Sequence, residues 1–163
     1  MLSITVSELM IIGVIPHRNK PLMKYENHIV TLSNGIKVIN TSPHPFIFDD
    51  GTVVKPIPDL VTGGRKGLNA EAYEVEHPQG EPFQSTGWDA LEGGLVFLVR
   101  LPDDVLVLAS SIAAQAYGYP VVSTVPTPET SGRGVAYKDK RVRSDRFNLF
   151  GCNPDLVKIN WGE

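Results

Sequence analysis

Residues 105–126, VLVLASSIAAQAYGYPVVSTVP, constrain the fold more than any other stretch. VLVLAS is a continuous apolar run, the pattern of a strand buried on both faces. Ser110 and Ser111 stand where a helix N-cap is needed, because a hydroxyl there accepts from a free backbone N–H. Ala113, Ala114 and Ala116 then favour a short helix, and Gly118 supplies its stop. A second strand follows Pro120 and ends at Pro126. A strand–helix–strand unit is therefore expected. GLVFLVRL, residues 94–101, precedes it and reads as another buried central strand, turned by Pro102-Asp103-Asp104.

The front half carries hairpin signals. HIVTLSNGIKVIN, residues 28–40, sets Ser33-Asn34-Gly35 between two β-rich runs. Asn-Gly predicts a type I′ turn, with positive φ at both central residues. FIF and TVVKPI flank Asp49-Asp50-Gly51, a second hairpin signal. Residues 28–57 thus read as a small antiparallel meander. Asn40-Thr41-Ser42-Pro43-His44-Pro45 links the two hairpins. Each proline pushes the residue before it into extended backbone, so the link is stiff. AYEVE, residues 72–76, reads as a strand. Gly63-Gly64-Arg65-Lys66-Gly67 is Gly-rich and basic, as a phosphate-cradling loop would be, but it lacks the Lys-Ser/Thr ending of a P-loop, and a mobile, solvated surface loop is the favoured reading.

The expected fold is α+β, mixed α/β and mainly β: an antiparallel meander followed by the strand–helix–strand unit. With 163 residues, 42% hydrophobic and 20% charged, the chain fits one globular domain. Residues 25–152 are assigned to it, with 1–24 as an N-terminal extension and 153–163 as a tail. LMIIGVI, residues 9–15, is too short to span a bilayer and follows Glu8 rather than a basic start. It reads as a buried strand or helix. Cys152 is the one cysteine, which rules out an internal disulfide and fits a reducing compartment. A cytoplasmic protein without membrane association is expected.

Charge is unevenly spread. The formal net charge of −3 argues against nucleic-acid binding by bulk attraction. Eight acids between Glu71 and Asp104 face a single cation, Arg100. Residues 133–146 instead hold six cations (Arg133, Lys138, Lys140, Arg141, Arg143, Arg146) against Asp139 and Asp145. Either the two regions neutralise one another across the fold, or the arginines recognise a phosphorylated ligand through forked hydrogen bonds. Only Tyr137 and Phe147 flank the basic run, thin support for stacking on single-stranded nucleic acid.

The residues capable of chemistry are few. His17, His28, His44 and His77 are scattered without metal-ligand spacing, and neither a metal nor a cofactor is expected. No Gly-x-Ser-x-Gly nucleophile elbow is present. Ser110 and Ser111 read as a helix cap that is also compatible with an anion site. His44 reads either as part of a proline-stiffened bend or as a preorganised ligand contact. It has no sequence-visible partner for proton transfer.

Asn-Thr-Ser-Pro-His at 40–44, the Asp-Asp-Gly turn, Val107 to Ala116 (VLASSIAAQA) and a charged strand near the C-terminus resemble a family of small phage and prophage proteins. Its members carry an Asn-Leu-Thr-Pro-His motif and a later Ser-x-x-x-Ala-Gln-Ala motif. The resemblance spans residues 36–150. Here Thr41-Ser42 replaces Leu-Thr, and an extra segment precedes the match. It implies phage origin and, by analogy with other small phage proteins, an anti-defence role in the host cytoplasm. The leading expectation is a binding protein for a small phosphorylated or nucleotide-like ligand, with an anti-defence sponge for a nucleotide immune signal as its use. Its site would draw on Thr41, Ser42, His44, Ser110, Ser111, Gln115, Arg133, Lys138, Arg141 and Arg143. Two alternatives stand beside it. One is a nucleotide-processing hydrolase or phosphodiesterase with His44 as general base. The other is a virion or host-protein interaction module, in which the acidic and basic segments of neighbouring subunits pair in a homo-oligomer.

Overall fold

The computed structural model describes residues 23–151. The expectations for 9–15, Cys152 and the 153–163 tail lie outside them. A short helix α1 (Met23–Glu26) leads into the hairpin of β1 (Val30–Thr31) and β2 (Lys37–Asn40). Three two-stranded ribbons follow. They are β3 (Phe46–Ile47) with β4 (Val53–Val54), β5 (Val61–Thr62) with β6 (Arg65–Lys66), and β7 (Ala70–Val75) with β8 (Ser85–Ala90). Helix α2 (Glu92–Val99), β9 (Val105–Leu108), α3 (Ser111–Tyr117), β10 (Val121–Pro126) and β11 (Val142–Asn148) complete the described chain. The fold is α+β and mainly β.

One mixed sheet, ordered β1-β2-β9-β10-β11, organises the rest. Its inner pairs are parallel, with Ile39 opposite Val107 and Val121 opposite Val107, and both outer pairs are antiparallel. Alternation sorts the inner strands between two cores. Ile39, Val105, Val107 and Val121 pack with Leu98, Ala113, Ala114 and Tyr117 of the helices. Val38, Leu108 and Val122 pack with Phe48, Val54 and Val142. Both faces are covered, which is why these strands read as unbroken apolar runs. The strand–helix–strand unit forms as its local signals require. The Ser110 hydroxyl accepts from Ala113 N–H at 3.1 Å, and Gly118 ends α3 at φ +69°.

Four sequence expectations change. GLVFLVRL is helix α2 rather than a strand. An apolar run serves a helix buried all round as well as a doubly buried strand, so periodicity does not arbitrate. The two front hairpins form, but in separate sheets, so 28–57 is not one continuous meander. The turn chemistry is also exchanged. Among residues 33–35 only Gly35 has positive φ (+89°), and its N–H closes the turn on the Leu32 carbonyl at 2.9 Å. Asn34 instead uses its amide, accepting from Ile36 N–H and donating to the Ser144 carbonyl. The positive pair of φ values that a type I′ turn needs occurs at Gly63 (+60°) and Gly64 (+76°). The supposed mobile loop is therefore the tip of the β5–β6 hairpin.

The two front hairpins are joined at their turns. The Asp50 carboxylate accepts from Ser33 N–H at 2.9 Å and from Thr52 N–H at 2.8 Å. These two backbone donors, Ser33 first, hold its pKa well below the ordinary carboxylate range.

Tyr117 fastens the helices to the β7–β8 ribbon. Its hydroxyl donates to the Asn69 carbonyl at 2.7 Å and accepts from Leu91 N–H at 3.0 Å, one group at each strand's base. A Cβ on Gly94 would overlap that hydroxyl, so glycine is required there. Burial pushes the Tyr117 pKa from 10.0 up to about 12, against the smaller lowering effect of the Leu91 N–H. Tyr117→Phe should cost about 1–3 kcal/mol at neutral pH, because it leaves Leu91 N–H and the Asn69 carbonyl unpaired. The raised pKa means that the unfolded chain ionises first, so the associated stability is whole below pH 10 and lost as pH rises through about 12. Urea titrations across this window should show a steeper loss for the native chain than for Tyr117→Phe; equal slopes would contradict the assignment.

Candidate functional site

Asn40 shapes the Thr-Ser-Pro-His-Pro link. Its side chain is fully buried at the end of β2. Oδ1 accepts from the Ser42 N–H at 2.9 Å and the Ser42 hydroxyl at 2.7 Å. Nδ2 donates to the His44 carbonyl at 2.8 Å and the Val54 carbonyl at 3.0 Å. One amide thus satisfies a turn that prolines deprive of donors. Thr41 is tied down separately: its hydroxyl and N–H both donate to the Leu108 carbonyl, at 2.7 and 2.9 Å.

The β5–β6 hairpin closes on this link. A Cβ on Gly67 would overlap the Thr41 carbonyl oxygen, and Gly67 has φ +88°. Both facts require glycine there. Leu68 N–H donates to the same Thr41 carbonyl at 3.3 Å. Inside the hairpin, Asn69 Nδ2 lies 3.0–3.2 Å from the carbonyls of Arg65, Lys66, Gly67 and Thr62. Thr62 adds a hydroxyl bond to the Gly67 carbonyl at 2.7 Å and accepts from Asn69 N–H at 2.8 Å. The backbone beneath Arg65 and Lys66 is therefore held from within.

These constraints enclose a cavity of about 320 Å³ beside the carboxyl ends of the parallel strands β2 and β9. Thr41, Ser42 and Pro43 form one wall, Ser110 and Ile112 another, and Arg65, Lys66, Leu68, Asn69, Ala70 and Trp88 the rest. Crevices at strand carboxyl ends are where open α/β sheets hold ligands. Arg65 and Lys66 are exposed and make no ion pair among the described residues. Trp88 is half-buried and offers an indole. Ser110 accepts its capping bond and keeps its own O–H to donate. Two cations, an aromatic ring and a hydroxyl suit an anionic ligand that also carries a flat apolar part.

The expected site residues divide. Thr41, Ser42 and Ser110 reach this cavity, whereas Ser111 and Gln115 are exposed on α3 outside its lining. Arg141 borders a second cavity of about 240 Å³ with Pro45, Phe46, Ile47 and Tyr137. There its Nη1 already donates to the Lys138 and Lys140 carbonyls. Arg143 is engaged by Asp145 through two bonds of 2.8 and 2.9 Å. Arg133 and Lys138 are exposed on the 127–141 connection and line neither cavity. His44 is exposed, with its ring edge-on to Tyr137 at 5.8 Å, and Tyr137 donates to the Pro45 carbonyl. The link thus parts the two cavities: residues 41–43 face one and 45–47 the other.

Sequence reasoning missed Arg65, Lys66, Asn69 and Trp88. The basic, glycine-rich composition of 63–67 was the signal for the first two; nothing local marked the others. No His, Cys, Asp or Glu lines the cavity, and no group of three such side chains gathers among the described residues. No described helix is long and apolar enough to cross a membrane. Comparisons with protein-family models, curated proteins and solved structures found no match.

Asn40→Ala would leave the Ser42 N–H without its acceptor and take one donor each from the His44 and Val54 carbonyls. A loss of about 2–4 kcal/mol is expected in urea denaturation. A loss below about 0.5 kcal/mol would show that the link does not depend on this amide.

Proposed function

We propose that the chain binds a small phosphorylated, nucleotide-like ligand in the cavity between the β2 and β9 ends and the β5–β6 hairpin. The carrying observation is the pair Arg65–Lys66, held by Asn69 and Thr62 over a cavity that also presents Trp88 and Ser110. Arginine and lysine take the phosphate, one as a planar fork and the other as a point charge. The indole stacks on a base, and Ser110 donates to a phosphate or sugar oxygen. Binding is favoured over turnover because the cavity wall offers no carboxylate, imidazole or thiol to move a proton. The resemblance to small phage proteins supports sequestration of a nucleotide signal as the use of such binding.

Calorimetry with a panel of cyclic and linear nucleotides should find at least one ligand, recovered unchanged by chromatography. Arg65→Ala and Lys66→Ala should each weaken it by about tenfold or more, as expected for losing a charge-assisted bond. Arg141→Ala, at the other cavity, should leave it unaltered. Absence of heat with every nucleotide overturns the reading, and so does a ligand lost with Arg141 but insensitive to Arg65 and Lys66.

A further inference from the structure

The β7–β8 ribbon is built unlike the rest of the fold. Residues 71–76 and 78–84 are all exposed, so beyond its base nothing described covers it. An uncovered two-stranded ribbon is marginal in water. Its composition makes this worse. Residues 70–91 contain Glu71, Glu74, Glu76, Glu81 and Asp89 and no Lys or Arg. Glu71 and Asp89 stand directly opposite in register, a like-charge cross-strand pair that costs stability. Yet the ribbon keeps large apolar side chains in the open: Tyr73 is 43% exposed, Val75 37% and Phe83 65%.

The basic segment has the complementary defect. Lys138, Lys140 and Arg146 are exposed and form no ion pair among the described residues. Close beyond them Leu149 and Phe150 are 50% and 45% exposed. No described ion pair joins the ribbon to this segment within one molecule. The internal neutralisation that the sequence allowed is therefore not made through direct pairs.

We infer that the acidic ribbon of one copy docks on the basic 138–150 edge of a second copy. Each patch repels itself and matches the other in charge. Each also carries exposed apolar side chains to exclude water at the contact. Two such contacts related by a two-fold axis make a closed dimer. The inference is independent of the ligand cavity, because none of the charged residues it uses lines that cavity.

Two charge-reversed variants test it on the full chain. One carries Glu71→Lys, Glu74→Lys and Glu76→Lys; the other carries Lys138→Glu, Lys140→Glu and Arg146→Glu. All six side chains are exposed, so both variants should fold, with native near-ultraviolet circular dichroism as the check. In sedimentation velocity the native chain should dimerise, with a dissociation constant that rises at least about tenfold from low to high salt. Each variant alone should be monomeric. An equimolar mixture should dimerise again, since positive ribbon then meets negative edge and negative ribbon meets positive edge. A native chain that stays monomeric at every salt and concentration overturns the inference and leaves the ribbon to a basic partner of another kind. Dimers that persist in either variant, or a mixture that stays monomeric, also overturn it.

Discussion

A single buried amide holds the central part of this molecule in register. Asn40 ends β2, and its side chain reaches forward to Ser42 and His44 and across to Val54. Its own carbonyl accepts from Ile57 N–H, so the main chain contributes as well. Without that amide, the Ser42 N–H would lose its acceptor and the His44 and Val54 carbonyls a donor each, at a cost of about 2–4 kcal/mol. With it, a turn interrupted by two prolines becomes a fixed wall. Gly67 then lies too close to the Thr41 carbonyl to carry a side chain, and the basic hairpin is set against the strand ends.

The parts legible in the sequence were those determined locally. Ser110, the alanines and Gly118 specify α3 through capping and propensity, so the unit around it could be read directly. The second hairpin could be read too, because Gly51 takes φ +88° after two aspartates. Leu95, Phe97, Leu98 and Val99 were misassigned for a reason inherent in their chemistry. They are buried on every side, and nothing in an all-apolar run distinguishes three sides from two. Asn34-Gly35 misled in a subtler way. Asn34 has a tertiary partner in Ser144, far along the chain, and that bond suits a turn with one positive φ rather than two.

The candidate site was less legible because its parts are assembled over long distances. Ser42 and Ser110 looked like ligand contacts, and they do reach one cavity, but the Ser42 hydroxyl is turned inward to Asn40. The tail arginines drew attention by number, whereas Arg141 and Arg143 already have acceptors beside them. Arg65 and Lys66 carried only a weak local mark, a basic and glycine-rich stretch without a P-loop ending. What gives them a role is Asn69 gathering the hairpin carbonyls and Gly67 allowing contact with Thr41, neither of which composition or periodicity reveals. His44, conspicuous between its prolines, contributes its carbonyl to the Asn40 network while its ring rests against Tyr137.

The cavity lies between strands that the chain visits far apart. Thr41 bonds the Leu108 carbonyl across 67 positions, and every ribbon of the fold is inserted between them. Closing a loop of that length costs about 4 kcal/mol of chain entropy. The walls at Ser42, Lys66, Trp88 and Ser110 therefore exist together only when this closure is complete. A ligand seated there has no foothold on any partly unfolded form. Its binding free energy adds to the stability of the whole structure, so occupancy shifts the global melting transition rather than the opening of one loop.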